Sequence, residues 1–313
     1  AGLQAGTGIP STTIDQLLTD LARPGAVDIL PRGGVLVIDE AGMVGTRKLA
    51  GLLEAAERSR TKVVLVGDPR QLPEVEAGGA FAALADRAEP VRLTTNRRPA
   101  NEWERQALDQ LRHGDVGRAV TVYRDRQRIT LAATAEEARA RLAADWWDTY
   151  RTAGPEQTAM VGLTRADVAD LNHRARQHLR AAGRLGAELQ VGDRSFAVGD
   201  VVMALRNDRR LGVTNGTRAH VTGLDPHTGG LRVRTLDGRD LTLPAGYLED
   251  AHLDHGYALT AHKAQGITVT TAFVLGSDRL YREAGYTAMS RATTHTQLYQ
   301  VAPPPPQYQP AAA

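Results

Sequence analysis

Two acidic residues directly follow a short apolar run in this 313-residue chain. Val35 to Ile38 are all apolar, and Asp39 and Glu40 come next. If the run is a buried strand, one carboxylate at its end can hold Mg²⁺ through water, and the other can orient and deprotonate an attacking water. The alternative is an ordinary acidic cap at a helix N-terminus. Asp39 is therefore a candidate metal ligand and Glu40 a candidate catalytic base.

A second apolar run repeats this design further along the chain. Val63 to Val66 are followed by Gly67-Asp68-Pro69 and then by Gln71. A glutamine on such a turn can contact the γ-phosphate of a nucleotide, although Gly-Asp-Pro alone also favours a simple β-turn. The two patterns together, in this order, are more specific for nucleotide hydrolysis than either one alone.

The elements that must position these groups follow from hydrophobic periodicity. Short, wholly apolar strands are typical of a parallel sheet that is buried on both faces. Residues 46–60 between them have apolar positions at helical spacing, namely Leu49, Leu52, Leu53 and Ala56. The sequence predicts further α/β alternation, with a helix at 100–113, a strand at 128–133, a helix at 134–150, a strand at 158–164 and a helix at 165–183.

Residues 190–250 have a different character. Their short alternating segments, with turn signals at Asn215-Gly216 and Asp237-Gly238, predict a small antiparallel barrel. The α/β pattern then returns, with a helix at 281–292 and a strand at 296–301. The barrel is thus expected to interrupt a second α/β unit. The Pro-rich segment 302–313 is predicted to be a tail or linker.

The chain resembles superfamily 1 DNA helicases of the RecD-like branch, and most closely the helicase part of MobF-type (TraI/TrwC) conjugative relaxases. The resemblance covers nearly all residues up to 301. It rests on five segments that resemble helicase motifs II to VI, in the order VLVIDEAGMV, VVLVGDPRQLP, LTTNRRP (93–99), YALTAHKAQGIT (257–268) and YTAMSRAT (286–293).

The resemblance implies an α/β fold of two RecA-like P-loop NTPase domains, the first of them truncated at its N-terminus. An SH3-like β-barrel would be inserted in the second domain. The expected boundaries are 1–96 for the first domain, 97–190 plus 255–301 for the second, 191–254 for the barrel and 302–313 for the tail.

Two arginines are candidates for transition-state stabilisation. In the resemblance, Arg291 is the motif VI arginine, and Arg98 is preferred over Arg97 for motif IV. The choice stays open because the family more often has Arg-Gln where this chain has Arg98-Pro99. Two arginines that face a γ-phosphate across a cleft stabilise its developing charge, whereas surface ion pairs are the ordinary alternative in so arginine-rich a chain.

The motif V segment combines several hydrogen-bond donors. Thr260, His262 and Lys263 together suit the phosphates of a DNA strand, and they are expected at the start of a helix. His262 alone would more often be a core histidine. Gln265 and Gly266 are expected nearer the nucleotide. The implied cofactors are ATP and Mg²⁺, and the implied partner is single-stranded DNA.

The first residues only partly resemble a phosphate-binding loop. Such a loop needs a lysine and a preceding buried strand, but Ile9-Pro10 follow Gly8, and no lysine occurs before Lys48. The segment is more typical of the start of a helix, with Ser11 or Thr12 as N-cap, than of a phosphate-binding loop. The resemblance then places the phosphate loop before residue 1, so the given chain is expected to show negligible ATPase activity. A relaxase domain in the same full-length chain is a further expectation.

Composition adds only broad limits. The net charge is +2, which indicates no large basic field, and there are no cysteines, which excludes disulfides and fits a cytoplasmic protein. No apolar run of about 18 residues predicts a membrane span. The alternatives that stay open are a single-stranded nucleic-acid-binding module without hydrolysis, an RNA helicase of the same superfamily, and a RecD-like helicase associated with an exonuclease.

Overall fold

The computed structural model describes residues 8–23, 29–72, 79–93, 98–225, 227, 229–277 and 280–302. The chain divides into two compact units, Ala1–Thr94 and Thr95–Ala313. Each unit has its own apolar core. Within the described ranges, no helix is both long and apolar enough to cross a membrane.

The first unit contains a strand–helix–strand arrangement. Its strands β1 (Val35–Ile38) and β2 (Lys62–Leu65) pair in parallel, and its helices are α1 (Ile14–Leu21), α2 (Thr46–Ser59) and α3 (Ala80–Arg87). Helix α1 begins after Thr13, whose Oγ1 accepts the Gln16 N–H at 3.3 Å. The predicted N-cap at Ser11 or Thr12 is therefore wrong, because the hydroxyl that accepts an N–H of the first helical turn belongs to Thr13.

One face of this two-stranded sheet packs on the helices and the other does not. Leu36 and Ile38 join the core with Leu49 of α2, whereas Val35 and Val37 are 60% and 57% exposed. The prediction that both faces are buried is thus wrong for the described residues, since alternate side chains of a strand point to opposite faces. Helix α2 also differs from its prediction, because Leu53 is exposed and Ala55 is buried instead.

The second unit is built on a parallel five-stranded sheet. Its strands are β3 (Ile129–Ala132), β4 (Thr158–Gly162), β12 (Ala258–Thr260), β13 (Val269–Leu275) and β14 (Ala292–Val301), in the order β12-β4-β13-β14-β3. Its helices are α4 (Glu102–His113), α5 (Val116–Asp125), α6 (Ala135–Ala153), α7 (Arg165–Ala181) and α9 (Arg282–Met289). All five residues of β4 are buried, as expected for a central parallel strand.

An antiparallel region lies between α7 and β12 in the sequence. Its elements are β5 (Glu188–Val191), β6 (Arg194–Ala197), β7 (Val201–Ala204), β8 (Arg218–Asp225), β9 (Gly230–Thr235), β10 (Asp240–Leu243), α8 (Ala245–Glu249) and β11 (Leu253–His255). The main sheet has the order β10-β9-β8-β7-β11, and a separate hairpin pairs β5 with β6. Gly216 and Gly238 both have a φ of 88°, so the predicted turns require glycine at these positions.

A buried ion pair joins α7 to this antiparallel region. Arg176 donates to Asp200 at 3.0 Å and to Glu188 at 2.7 Å. Asp200 is fully buried and also accepts the Tyr257 hydroxyl at 2.8 Å and the Ala197 N–H at 2.7 Å. Every charge in the pair therefore has hydrogen-bond partners, which is the condition under which a buried pair is tolerated.

Replacing Arg176 by alanine is expected to lower the free energy of unfolding by about 3 kcal/mol, because it leaves the Asp200 carboxylate buried without its cation. Denaturant unfolding followed by circular dichroism measures the change. Arg180→Ala is the matched control, since Arg180 pairs with the same Glu188 but is 47% exposed, and exposed pairs contribute about 1 kcal/mol or less. Equal effects of the two substitutions would contradict this account.

Candidate functional site

In the first unit, the loops that follow β1 and β2 are held together by the backbone. The Val66 N–H donates to the Ile38 carbonyl, and the Val66 carbonyl accepts the Ala41 N–H, both at 2.8 Å. A Cβ at Gly67 would lie 3.2 Å from the nitrogen atoms of Ala41 and Gly42. The absence of a side chain at Gly67 therefore allows the two loops to approach this closely.

The acidic pair lies on the first of these loops. Asp39 is exposed, and its Oδ1 accepts the Glu40 N–H at 2.9 Å. Glu40 has φ 50° and ψ 40°, a left-handed conformation that is uncommon for residues other than glycine. Conformations of this kind cluster at functional sites, where the surrounding structure holds them. The strand end thus presents two carboxylates with one of them on a strained backbone.

Gln71 lies on the second loop. The Asp68 carbonyl accepts the Gln71 N–H at 3.1 Å, and Asp68 Oδ1 accepts the Arg70 N–H at 3.1 Å, so the segment forms a tight turn. The Gln71 Oε1 atom is buried and has no hydrogen-bond partner among the described residues. Because a buried amide oxygen without a partner is costly, this atom is a candidate ligand contact.

These residues can be compared with what Mg²⁺ and a nucleotide require. The described part of the chain contains no cluster of three or more His, Cys, Asp or Glu side chains that could enclose a metal. Magnesium commonly uses only one or two carboxylates together with water and substrate phosphates. The exposed Asp39 carboxylate fits that mode of binding, and the orphaned Gln71 oxygen fits a polar ligand.

In the second unit, Thr260 ends β12 and begins a compact turn. The Thr260 carbonyl accepts the Ala264 N–H at 2.8 Å, and its Oγ1 accepts the Lys263 N–H at 3.3 Å. Residues 261–266 form turns, so the expectation that a helix starts here is wrong. Gly266 takes a left-handed φ of 81°, which directs the chain into β13 after a single turn.

The predicted DNA contacts share this turn. Lys263 is exposed, while Thr260 and His262 are half-buried. Desolvation lowers the pKa of Lys263, Asp254 opposes that effect, and the nearby Arg165 lowers the pKa further. Arg165 is the first residue of α7, which begins shortly after the end of β4, the strand that pairs with β12. Sequence reasoning missed this second cation, although its place after a strand end was a usable signal.

The two candidate arginines meet at Ser290. Arg98 Nη1 donates to the Ser290 carbonyl at 2.8 Å, and Arg291 Nη2 donates to the Ser290 hydroxyl at 2.6 Å. Arg291 Nη1 also donates to the Ala264 carbonyl at 3.4 Å, next to Gln265. Arg291 is only 1% exposed. The residues of the predicted motifs IV, V and VI therefore lie together in this unit, while Arg97 lies outside the described residues.

Most of this chain matches known proteins in sequence. Residues 1–134 match the model of a family described as AAA domain. The chain is 37% identical over 302 residues to the conjugal transfer protein TraA of Agrobacterium fabrum, which covers 95% of this chain and 27% of that protein. It is 30% identical over 266 residues to the ATP-dependent RecD2 DNA helicase of Deinococcus radiodurans, covering 82% of this chain and 35% of the helicase.

The fold has a solved counterpart. The Pif1 helicase from Bacteroides, determined in complex with ADP-AlF3 and single-stranded DNA, matches with a TM-score of 0.57 and 18% identity. The match covers 94% of this chain and 76% of that one, and at this identity it shows a shared α/β fold with a parallel sheet. The chain spans about a quarter to a third of the length of the two curated relatives. The matches to TraA and to RecD2 confirm the resemblance to RecD-like helicases and conjugative relaxases that the motifs indicated.

Proposed function

Because this chain is homologous to RecD-like DNA helicases and to TraA conjugal transfer proteins, we propose that it is part of an ATP-dependent helicase that moves 5′ to 3′ along single-stranded DNA. The full-length protein would be a conjugative relaxase-helicase. The observation that carries the proposal is the pair of joined strand ends in the first unit, with Glu40 in a strained conformation and the Gln71 oxygen buried without a partner.

The first unit would supply the groups that act on the nucleotide. Asp39 would hold Mg²⁺, which when bound neutralises charge on the phosphates. Glu40 would orient the attacking water and accept its proton, as a general base must. Gln71 would contact the γ-phosphate through its side-chain amide. The 313-residue sequence contains no phosphate-loop motif of the form G-x-x-x-x-G-K-[ST].

The second unit would supply the remaining contacts. We propose that Arg98 and Arg291 act on the charge of the transferred phosphate, and that Gln265 and Gly266 lie near the nucleotide. In architectural terms, the two units would be RecA-like domains with the boundaries given by the motifs, and the antiparallel region would be an SH3-like barrel. We propose a cytoplasmic location and a DNA substrate on the same basis.

The DNA-binding part of the proposal concerns Thr260, His262 and Lys263. Lys263 is exposed beside a second cation, Arg165, so the turn after β12 offers positive charge at a strand end. Phosphate contacts of this kind position a nucleic acid without reading its sequence. Binding through this turn should therefore depend on salt and not on base sequence.

In the full-length natural protein, Lys263→Ala is expected to weaken binding of single-stranded DNA equally for different base sequences. Each lost phosphate contact should also reduce the slope of log affinity against log salt by about 0.7. Fluorescence anisotropy of labelled oligonucleotides at several salt concentrations measures both quantities. Lys62→Ala, at an exposed lysine of the first unit, is the control, and an unchanged slope for Lys263→Ala would exclude the phosphate contact.

A further inference from the structure

The strand that leads into the turn with Lys263 is short and lies at the edge of its sheet. Strand β12 has three residues, and among the described strands it pairs only with β4. On that side, the Tyr257 carbonyl accepts the Met160 N–H at 3.2 Å. The N–H and carbonyl groups of Ala258 are directed to the other edge, where an edge strand has no neighbouring strand. A group outside the sheet must therefore satisfy them.

The side chain of Asn172 on α7 occupies the place of the missing neighbour. Its Oδ1 accepts the Ala258 N–H at 2.8 Å and the Tyr257 N–H at 3.1 Å. Its Nδ2 donates to the His255 carbonyl at 3.2 Å and to the Ala258 carbonyl at 3.5 Å. Asn172 is 3% exposed. An amide offers two lone pairs and two N–H donors, so these four bonds use its full hydrogen-bonding capacity.

The helix that carries Asn172 also carries the second cation of the site. Arg165 is the first residue of α7, and after burial it is the further cause that lowers the pKa of Lys263. Arg165 and Asn172 are seven residues apart, which is about two helical turns, so they lie on the same side of the helix. Helix α7 therefore contacts the start of β12 through Asn172 and approaches the turn after β12 through Arg165.

Resting on the function proposed above, we infer that Asn172 is a positioning residue for the binding of single-stranded DNA. By holding β12 against α7, its amide fixes Lys263, on the turn after β12, relative to Arg165 on the helix. Both cations then face phosphates of the same strand at once. Thr260, which ends β12, is held in place by the same bonds. Because Asn172 itself is buried, it acts only through these residues.

The physical basis is the cost of leaving buried backbone groups without partners. Removing the amide would deprive the N–H groups of Tyr257 and Ala258 of their acceptor, and such groups are costly when buried. The start of β12 is expected to shift until water or another group reaches them. Since the strand is otherwise held only by its bonds to β4, the shift should extend to Thr260 and the turn. DNA affinity should then fall even in protein that remains folded.

The test measures the affinity of the full-length natural protein for single-stranded DNA by fluorescence anisotropy. Asn172→Leu keeps the approximate size of the side chain and removes all four bonds. It should weaken binding on the order of 10-fold, the effect of a coupling of ordinary size, at a temperature at which circular dichroism shows folded protein. Asn172→Ser should also weaken binding, with a smaller loss of Tm, because its smaller side chain leaves room for water at the freed N–H groups. If Asn172→Leu does not fold, the comparisons below are made with Asn172→Ser.

Thr158→Val is the matched control for the loss of a buried side-chain bond to the backbone. Thr158 is 1% exposed, and its Oγ1 donates to the Gly154 carbonyl at 2.9 Å. It lies on β4, at the end of that strand opposite to the turn after β12. The substitution should lower Tm without changing DNA affinity. Equal losses of affinity in Thr158→Val and in the Asn172 variants would show that loss of folding explains both, and would overturn the inference.

The decisive arm combines substitutions at Asn172 and Lys263. If Asn172 acts by placing Lys263, then Lys263→Ala should cost less affinity in the Asn172→Leu protein than in the natural protein, because a displaced lysine already contributes less. In Asn172→Leu alone, the slope of log affinity against log salt should fall by about 0.7 for each phosphate contact that is lost. Additive losses of affinity, or an unchanged slope, would show that Asn172 acts independently of the cations and would contradict the inference.

Failure of the inference is distinguishable from failure of the proposed function. If Lys263→Ala binds DNA with natural affinity and a natural salt slope, the proposed DNA-binding role of the turn is wrong and the inference falls with it. If Lys263→Ala binds weakly while both Asn172 variants bind as the natural protein does, only the inference is wrong.

Discussion

Replacing Arg291 by alanine in the full-length natural protein is expected to reduce ATP hydrolysis on the order of 10³-fold, the usual effect of removing an arginine that stabilises phosphoryl transfer. Arg291→Lys should recover little, because one ammonium cannot reproduce two directed N–H donors. In this chain those donors reach the Ser290 hydroxyl and the Ala264 carbonyl. Steady-state hydrolysis with saturating single-stranded DNA measures the effect.

The same substitution should leave DNA binding without nucleotide almost unchanged, because Arg291 is 1% exposed and does not lie on the turn that we propose to bind DNA. Arg124→Ala is a matched control at an exposed arginine of the same unit, and it should affect neither measurement. A variant at Arg291 that lost DNA affinity in proportion to its hydrolysis would point to a structural role for Arg291.

The second large effect is expected from Glu40→Gln, which keeps the size and polarity of the side chain and removes its basicity. A positioned general base contributes about 10²- to 10⁴-fold, so hydrolysis should fall on the order of 10³-fold. Binding of ATP should be retained, because Asp39 and Gln71 are unchanged. Phosphate release measures the rate of hydrolysis, and equilibrium binding of a fluorescent ATP analogue measures the affinity for ATP.

Glu54→Gln, at an exposed glutamate of α2 in the same unit, is the control for the loss of one carboxylate. It should hydrolyse ATP normally. If Glu40→Gln hydrolysed ATP at the natural rate, the left-handed backbone at Glu40 would have to be explained by loop packing alone. Equal losses of binding and hydrolysis would indicate that Glu40 contributes to nucleotide affinity and not to catalysis.

Sequence patterns located the strand ends well because burial and chemistry change abruptly there. The apolar run before Asp39 marked β1, the run before Gly67 marked β2, and both loops lie in contact as parallel strand ends should. Periodicity also found α2, β4 and α7 within a few residues at each end. These features depend on local sequence, which is why they were predictable.

Features that depend on particular backbone contacts were not predictable. The residues after Thr260 carry helix-forming types, yet the left-handed Gly266 ends the turn after a few residues. The Ser290 contacts join Arg98 to a carbonyl 192 residues further along the chain, and no local pattern encodes such a distant partner. The exposure of Val35 and Val37 likewise depends on which face of the sheet the helices cover.

We propose that this chain contributes the water-activating and phosphate-contacting groups of a DNA-dependent ATPase. The most direct test is ATP hydrolysis by the full-length natural protein with and without single-stranded DNA, beside Glu40→Gln. We expect that single-stranded DNA stimulates hydrolysis, and that Glu40→Gln removes hydrolysis while DNA binding persists. Tight binding of single-stranded DNA with no hydrolysis in the natural protein would contradict the account and favour a nucleic-acid-binding module derived from a helicase.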